Sequence, residues 1–124
     1  MRVLVLGAGA VGGYFGGRMA EAGMDVTFLV REKKKHQLRQ NGLVIKSPKG
    51  DFSIQPNLVT INKVESIFDI ILLTNKAYDL DEILQSAFPV KDGSTIIPLL
   101  NGYTHIEKLR NKFPNARLFG GIAH

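Results

Sequence analysis

Cysteine is absent from this chain, which rules out disulfides and thiolate chemistry together. Apolar runs long enough to cross a bilayer are also missing, so no membrane partner is expected. Histidine is scarce: His36, His105 and His124 are scattered without ligand-like spacing, and no metal site is expected. None of Ser47, Ser53, Ser66, Ser86 and Ser94 sits in a nucleophile elbow. There is no internal repeat and no low-complexity tract. Met1 leads straight into an apolar strand with no room for a signal peptide, which predicts a cytoplasmic protein.

What is present fits one domain, residues 1–124, with 44% hydrophobic content and a net charge of +5. Much of the positive excess is local. Arg31, Lys33, Lys34, Lys35 and Arg39 lie close together, opposed there only by Glu32. No aromatic residue is interleaved, so a base-stacking surface for nucleic acid is not expected. An anionic cofactor or small substrate accounts for the same charge.

The amino terminus reads MRVLVLGAGAVGGYFGG. Val3 to Leu6 form a continuous apolar run, as a strand buried on both faces would. Gly7-Ala-Gly9-Ala-Val-Gly12 matches G-x-G-x-x-G directly after it, and a helix is predicted over 14–22. In such a turn Gly7 permits a sharp bend, Gly9 lets a pyrophosphate reach the backbone, and Gly12 lets the helix lie close to the strand. The first helix amides then face the phosphates. Gly7, Gly9, Ala10, Val11 and Gly12 are therefore the expected cofactor cradle.

Farther along, Ala22-Gly23 reads as a helix stop and 25–30 as a second strand. A short polar helix spans 32–40 and ends at Asn41-Gly42. Residues 43–55 read as an antiparallel hairpin inserted at the third-strand position, and 59–61 as a further short segment. A buried strand is predicted over 69–74 and a helix over 79–87, opened by Asp79 and Glu82. Another strand follows over 94–100, in which Pro98 must sit where no ladder donor is needed. Thr104 with Glu107 opens a helix to about Phe113, and 117–122 is the last strand. The alternation predicts an α/β fold with a doubly wound, Rossmann-type parallel sheet and an inserted β-hairpin.

Ligands of such sheets bind at the carboxyl ends of the strands. Arg31 follows the second strand, where an acid would hold a ribose 2′-hydroxyl and an arginine suits a 2′-phosphate. A one-residue shift would instead make Glu32 the NAD-type acid, but the neighbouring lysines favour NADP. Lys76 and Asn101 follow the next two strands. A lysine there neutralises an anion, and an asparagine orients a carboxamide or hydroxyl. An Asn-Gly pair also marks an ordinary turn.

Together the segments GAGAVGGYFGGRMAEAG (7–23), DVTFLVR (25–31), NGLVIKSPKGD (41–51), DIILLTNKAYD (69–79), PLLNGYTHIEKL (98–109) and LFGGIAH (118–124) resemble the amino-terminal domain of ketopantoate reductases. The resemblance spans essentially the whole chain. It implies an NADPH-dependent oxidoreductase that reduces a 2-keto acid, ketopantoate to pantoate, in pantothenate biosynthesis. It further implies pyrophosphate at Gly7, Gly9 and Gly12, the 2′-phosphate at Arg31, and Lys76 and Asn101 as catalytic residues near nicotinamide and substrate. Asn75-Lys76 stands where the family often has Thr-Lys, and Leu100-Asn101-Gly102 where it has Gln-Asn-Gly; the Lys and the Asn are kept. The family's helical carboxyl-terminal domain, which supplies a general-acid lysine, is absent, so the fragment alone is expected to be inactive. Apolar surface bared by that absence predicts a homodimer. Two other readings are another dehydrogenase of the same superfamily and a non-enzymatic nucleotide sensor. Arg31 and the hairpin weigh against the first, Lys76 with Asn101 against the second.

Overall fold

Strand β1 (Arg2–Leu6) is the axis of the molecule, and its buried residues divide between two cores. Val3 and Val5 pack on one side with Val26, Phe28 and Val30; Leu4 and Leu6 pack on the other with Leu29, Ile71 and Ile96. Successive strand residues point to opposite faces, so a run without polar residues implies cover on both sides. The computed structural model describes residues 1–7, 10–46, 48–65, 67–73, 89–98 and 104–119, the side chains of 10, 11 and 104–106 excepted.

Chain order then runs α1 (Ala10–Glu21), β2 (Asp25–Leu29), α2 (Glu32–Asn41), β3 (Leu43–Ile45), β4 (Phe52–Ile54) and β5 (Asn57–Val59). A 3-10 turn at Ile61–Lys63 precedes β6 (Ile70–Leu73), β7 (Thr95–Pro98), α3 (Thr104–Lys112) and β8 (Arg117–Leu118). Six strands form a parallel sheet in the order β5-β2-β1-β6-β7-β8. From β1 the chain first steps outward through β2 to β5, then crosses back to β6 and steps outward the other way. That reversal between β1 and β6 is where doubly wound sheets open their ligand crevice.

Helix α1 starts four residues earlier than expected, at Ala10 rather than Tyr14. Glycine is a poor helix former, which is why 7–13 reads as loop in sequence. Tertiary packing overrides that preference. A Cβ on Gly16 would lie 2.5 Å from the Phe28 ring and 3.1 Å from Val5, and one on Gly17 would lie 2.9 Å from Ile45. The glycines thus let α1 settle closer to the sheet and hairpin than any side chain permits. The helix ends as predicted: Gly23 takes φ 91°, its N–H bonds to Ala20 O, and Met24 N–H bonds to Met19 O, a Schellman cap.

The hairpin exists, but its place differs from the expected third-strand position. β3 and β4 pair only with each other, as a separate antiparallel sheet against α1. The third position belongs to β5, pairing Thr27 with Asn57 and Leu29 with Val59. The alternation in β3 explains this: Leu43 and Ile45 are buried while Val44 is exposed. A strand covered by helices on both sides would bury all three. Residues 61–63 turn rather than extend.

Pro98 occupies a harmless place in β7. Ile96 accepts from Phe119 N–H on the β8 side. Residue 98 faces that same side, two positions past the last β8 pair. The predicted helix at 79–87 and the extensions of strands to 74, 100 and 122 lie outside the described residues.

Candidate functional site

The carboxyl ends of β1 and β2 lie side by side, Leu6 opposite Leu29. Immediately beyond, Gly7 is buried at φ 96°, a conformation that strains any residue with a Cβ. Its N–H donates to Leu29 O at 2.8 Å, pinning the glycine turn to the end of β2. Only residues 7–9 separate β1 from α1. An α-helix leaves its first N–H groups without intrahelical acceptors, so the α1 start, Ala10, Val11 and Gly12, directs donors at this edge. Gly12 is buried, Gly9 lies outside the described residues, and so do the side chains of Ala10 and Val11.

On the β2 side, Val30 N–H bonds to Val59 O at 2.9 Å, which fixes the strand end. Arg31 follows as the N-cap residue of α2, exposed, with extended backbone (φ −77°, ψ 159°) and no side-chain capping bond. Gly7 and Arg31 therefore border one edge from adjacent strands, about 5 Å apart in strand spacing. Lys33, Lys34 and Arg39 are exposed and Lys35 half-buried on the same helix. Because β6 and β7 run parallel to β1, their carboxyl ends open on this edge too. Lys76 and Asn101, which follow those strands in sequence, lie outside the described residues. His105 falls within α3, its side chain undescribed. Among the described residues no group of His, Asp or Glu could hold a metal ion, and no helix is long and apolar enough to cross a membrane.

The opposite edge is built differently. Asp69 accepts from Arg2 N–H at 2.8 Å and pairs with Lys91, and its own N–H donates to Arg2 O. The Lys91 ammonium, helped by the Arg2 amide, holds the Asp69 carboxyl below its usual range. Ser94, fully buried, donates to Phe68 O at 2.7 Å. Sequence reading missed this edge, since Asp69 and Arg2 are 67 residues apart. It also missed the guanidinium of Arg18, stacked 4.6 Å from the Phe52 ring and paired with Glu21, which ties α1 to the hairpin. Helix spacing i, i+3 finds the Arg18–Glu21 pair from sequence; the Phe52 contact carries no local signal.

A parallel sheet that reverses at β1, with a glycine turn and a helix start at its carboxyl edge, defines a Rossmann-type α/β domain. The model of the ketopantoate reductase PanE/ApbA family matches residues 3–124, and the chain belongs to that family. It is 46% identical over 123 residues to the uncharacterized oxidoreductase YkpB of Bacillus subtilis, covering 98% of this chain and 40% of that protein. Among solved structures, 2-dehydropantoate 2-reductase of Geobacter metallireducens is 25% identical at a TM-score of 0.78, over 98% of this chain and 47% of the other. D-mandelate dehydrogenase in a ternary structure with NADH and anilino(oxo)acetate is 26% identical at a TM-score of 0.81, over 95% of this chain and 40% of the other. The chain spans about two fifths of the length of the curated relatives it matches.

Proposed function

We propose that this domain binds NADPH and forms the cofactor half of a 2-keto acid reductase, with ketopantoate as substrate and pantoate as product. The single observation that carries the cofactor choice is the position of Arg31, an exposed arginine just past the end of β2, the strand to which the Gly7 turn is bonded. The residues fit a dinucleotide. Gly7 leaves no Cβ at the turn, and the α1 start offers amides and a positive helix end to a pyrophosphate. Arg31 grips a 2′-phosphate through two charge-assisted bonds.

A bound NADPH would supply hydride chemistry for a ketone carbon. This chain's own contribution is placement: the glycine turn and Arg31 fix the two charged ends of the cofactor. Lys76 and Asn101, after β6 and β7, neutralise the substrate carboxylate and orient the carboxamide or ketone. The alkoxide formed from the ketone needs a proton donor; the family resemblance assigns it to a lysine of the carboxyl-terminal region, so residues 1–124 alone bind cofactor without turnover.

One specific observation favours a second cofactor. Glu32 is a single residue from Arg31, and the D-mandelate dehydrogenase neighbour holds NADH. Calorimetric titration with NADPH and NADH separates the two: tighter NADPH binding is the expected result, and tighter NADH binding moves the ribose contact to Glu32.

A further inference from the structure

Helix α2 carries its cations in an unusual place. Leu38 is its one buried residue, 5% exposed, and marks the face turned toward the sheet. Counting back at helical spacing, Lys35, Lys34 and Arg31 stand three, four and seven residues before it. The set 31, 34, 35, 38 is therefore the i, i+3, i+4, i+7 stripe that an amphipathic helix fills with apolar residues. Here the stripe is apolar only at Leu38, where it meets the core. Nearer the amino end of α2, at the sheet's carboxyl edge, it is cationic. Lys35 is half-buried there, and Lys35 N–H bonds to Arg31 O at 2.9 Å, closing the first turn. Lys33 and His36 fall off the stripe, as does Arg39 in the last turn. No ion pair joins Lys34 or Lys35 to an acid among the described residues. Arg31 and Lys34 are exposed and Lys35 is half-buried, so the amino end of the stripe presents its charge at that edge.

We propose that Lys34 and Lys35, and not Lys33, complete the phosphate seat that Arg31 begins, so that the inner stripe of α2 sets the preference for a 2′-phosphorylated ribose. The proposal rests on the NADPH reading above. Distance as well as direction sets Arg39 apart; Lys33, about 3 Å along the axis from Arg31, is set apart by direction alone. Lys34 is about 4.5 Å along the axis from Arg31, whereas Arg39 is about 12 Å away, beyond the roughly 8 Å over which salt leaves exposed charges interacting. A lysine acts as a point charge and needs no fixed geometry, so the pair strengthens binding without reading the sugar.

The test compares two doubly substituted chains of equal charge. Lys34→Ala/Lys35→Ala removes the inner pair, and Lys33→Ala/Arg39→Ala removes two cations off the stripe. Calorimetry with NADPH and NADH and a thermal melt are run on each. The expected result is an NADPH affinity about tenfold lower for the inner pair, NADH affinity changed less than about twofold, and both affinities near wild type for the outer pair. Equal losses of NADPH affinity in the two variants overturn the proposal in favour of a general field, and so does no loss in either. If the wild-type chain itself does not prefer NADPH, the reading of Arg31 fails and takes this one with it. A chain that prefers NADPH yet ignores the inner pair refutes the inner pair alone. Matching melts assign the difference to the ligand site rather than to folding.

Discussion

The two edges of the parallel sheet are made from opposite materials. At the amino edge, side chains close on one another: Asp69 with Lys91 and the Arg2 amide, Ser94 with Phe68 O, Arg2 with Asp25. At the carboxyl edge, the described strand ends are held by backbone bonds, Gly7 to Leu29 and Val30 to Val59, and the prominent side chains are cations of α2. One edge satisfies its own charge and fixes the strands. At the other, among the described residues, main-chain bonds hold the ends of β1 and β2, and the cations of α2 are exposed or half-buried. On the proposed reading, stability and binding are separated by the length of a strand.

The strongest way to break the separation is through the helix that spans both edges. Gly16→Val places a branched side chain against the Phe28 ring, where the first carbon alone would stand at 2.5 Å. Losing glycine from a helix normally gains up to about 1 kcal/mol. Overpacking a buried ring costs more, so a net loss of about 3 kcal/mol is expected in urea unfolding. Because α1 begins at the cofactor edge, NADPH binding should fall with it. Arg31→Ala keeps the edges apart. NADPH affinity is expected to drop at least about tenfold, near 1.4 kcal/mol, with NADH affinity nearly unchanged and unfolding free energy altered by less than about 0.5 kcal/mol.

Ser94→Ala runs the comparison the other way. It orphans the buried Phe68 carbonyl and should cost about 1 kcal/mol of stability while leaving NADPH titrations as they were. The smallest effect is acid-dependent. The folded chain holds Asp69 below its ordinary carboxylate value, so its contribution is full at neutral pH and fades as pH falls through that lowered folded value. Asp69→Asn should be less stable than wild type at pH 7, and the gap should close only on the acid side of the ordinary carboxylate range. A gap that persists unchanged into strong acid would mean the pair with Lys91 contributes nothing through its charge.

How much of this was legible beforehand depended on distance along the chain. The unbroken apolar run of β1, the turn at Gly7 after it, the stops at Gly23 and Gly42 and the span of α2 are local signals, and each was read correctly. The start of α1 was misjudged because helix propensity counts glycine as loop, while Phe28 and Ile45, far away in sequence, reward its lack of a side chain. The inserted hairpin was recognised, but that β5 follows it and takes the third place beside β2 was not, since pairing partners are not encoded in alternation alone. The lysine run was visible as charge, but which of its members share a stripe with Leu38 required that buried residue to fix the face of the helix. Lys76 and Asn101 stand on sequence and family resemblance.

The detached hairpin has a practical sequel. Its turn at Pro48 and Lys49 is exposed, and a Cβ added at Gly50 next to it would meet open space. Residues β5 contributes to the parallel sheet are counted from Asn57 onward, so extra chain spliced into that turn shifts no strand register. The tip is thus a natural graft point, where a fluorescent label or an affinity sequence can ride without disturbing the strand ends of the parallel sheet.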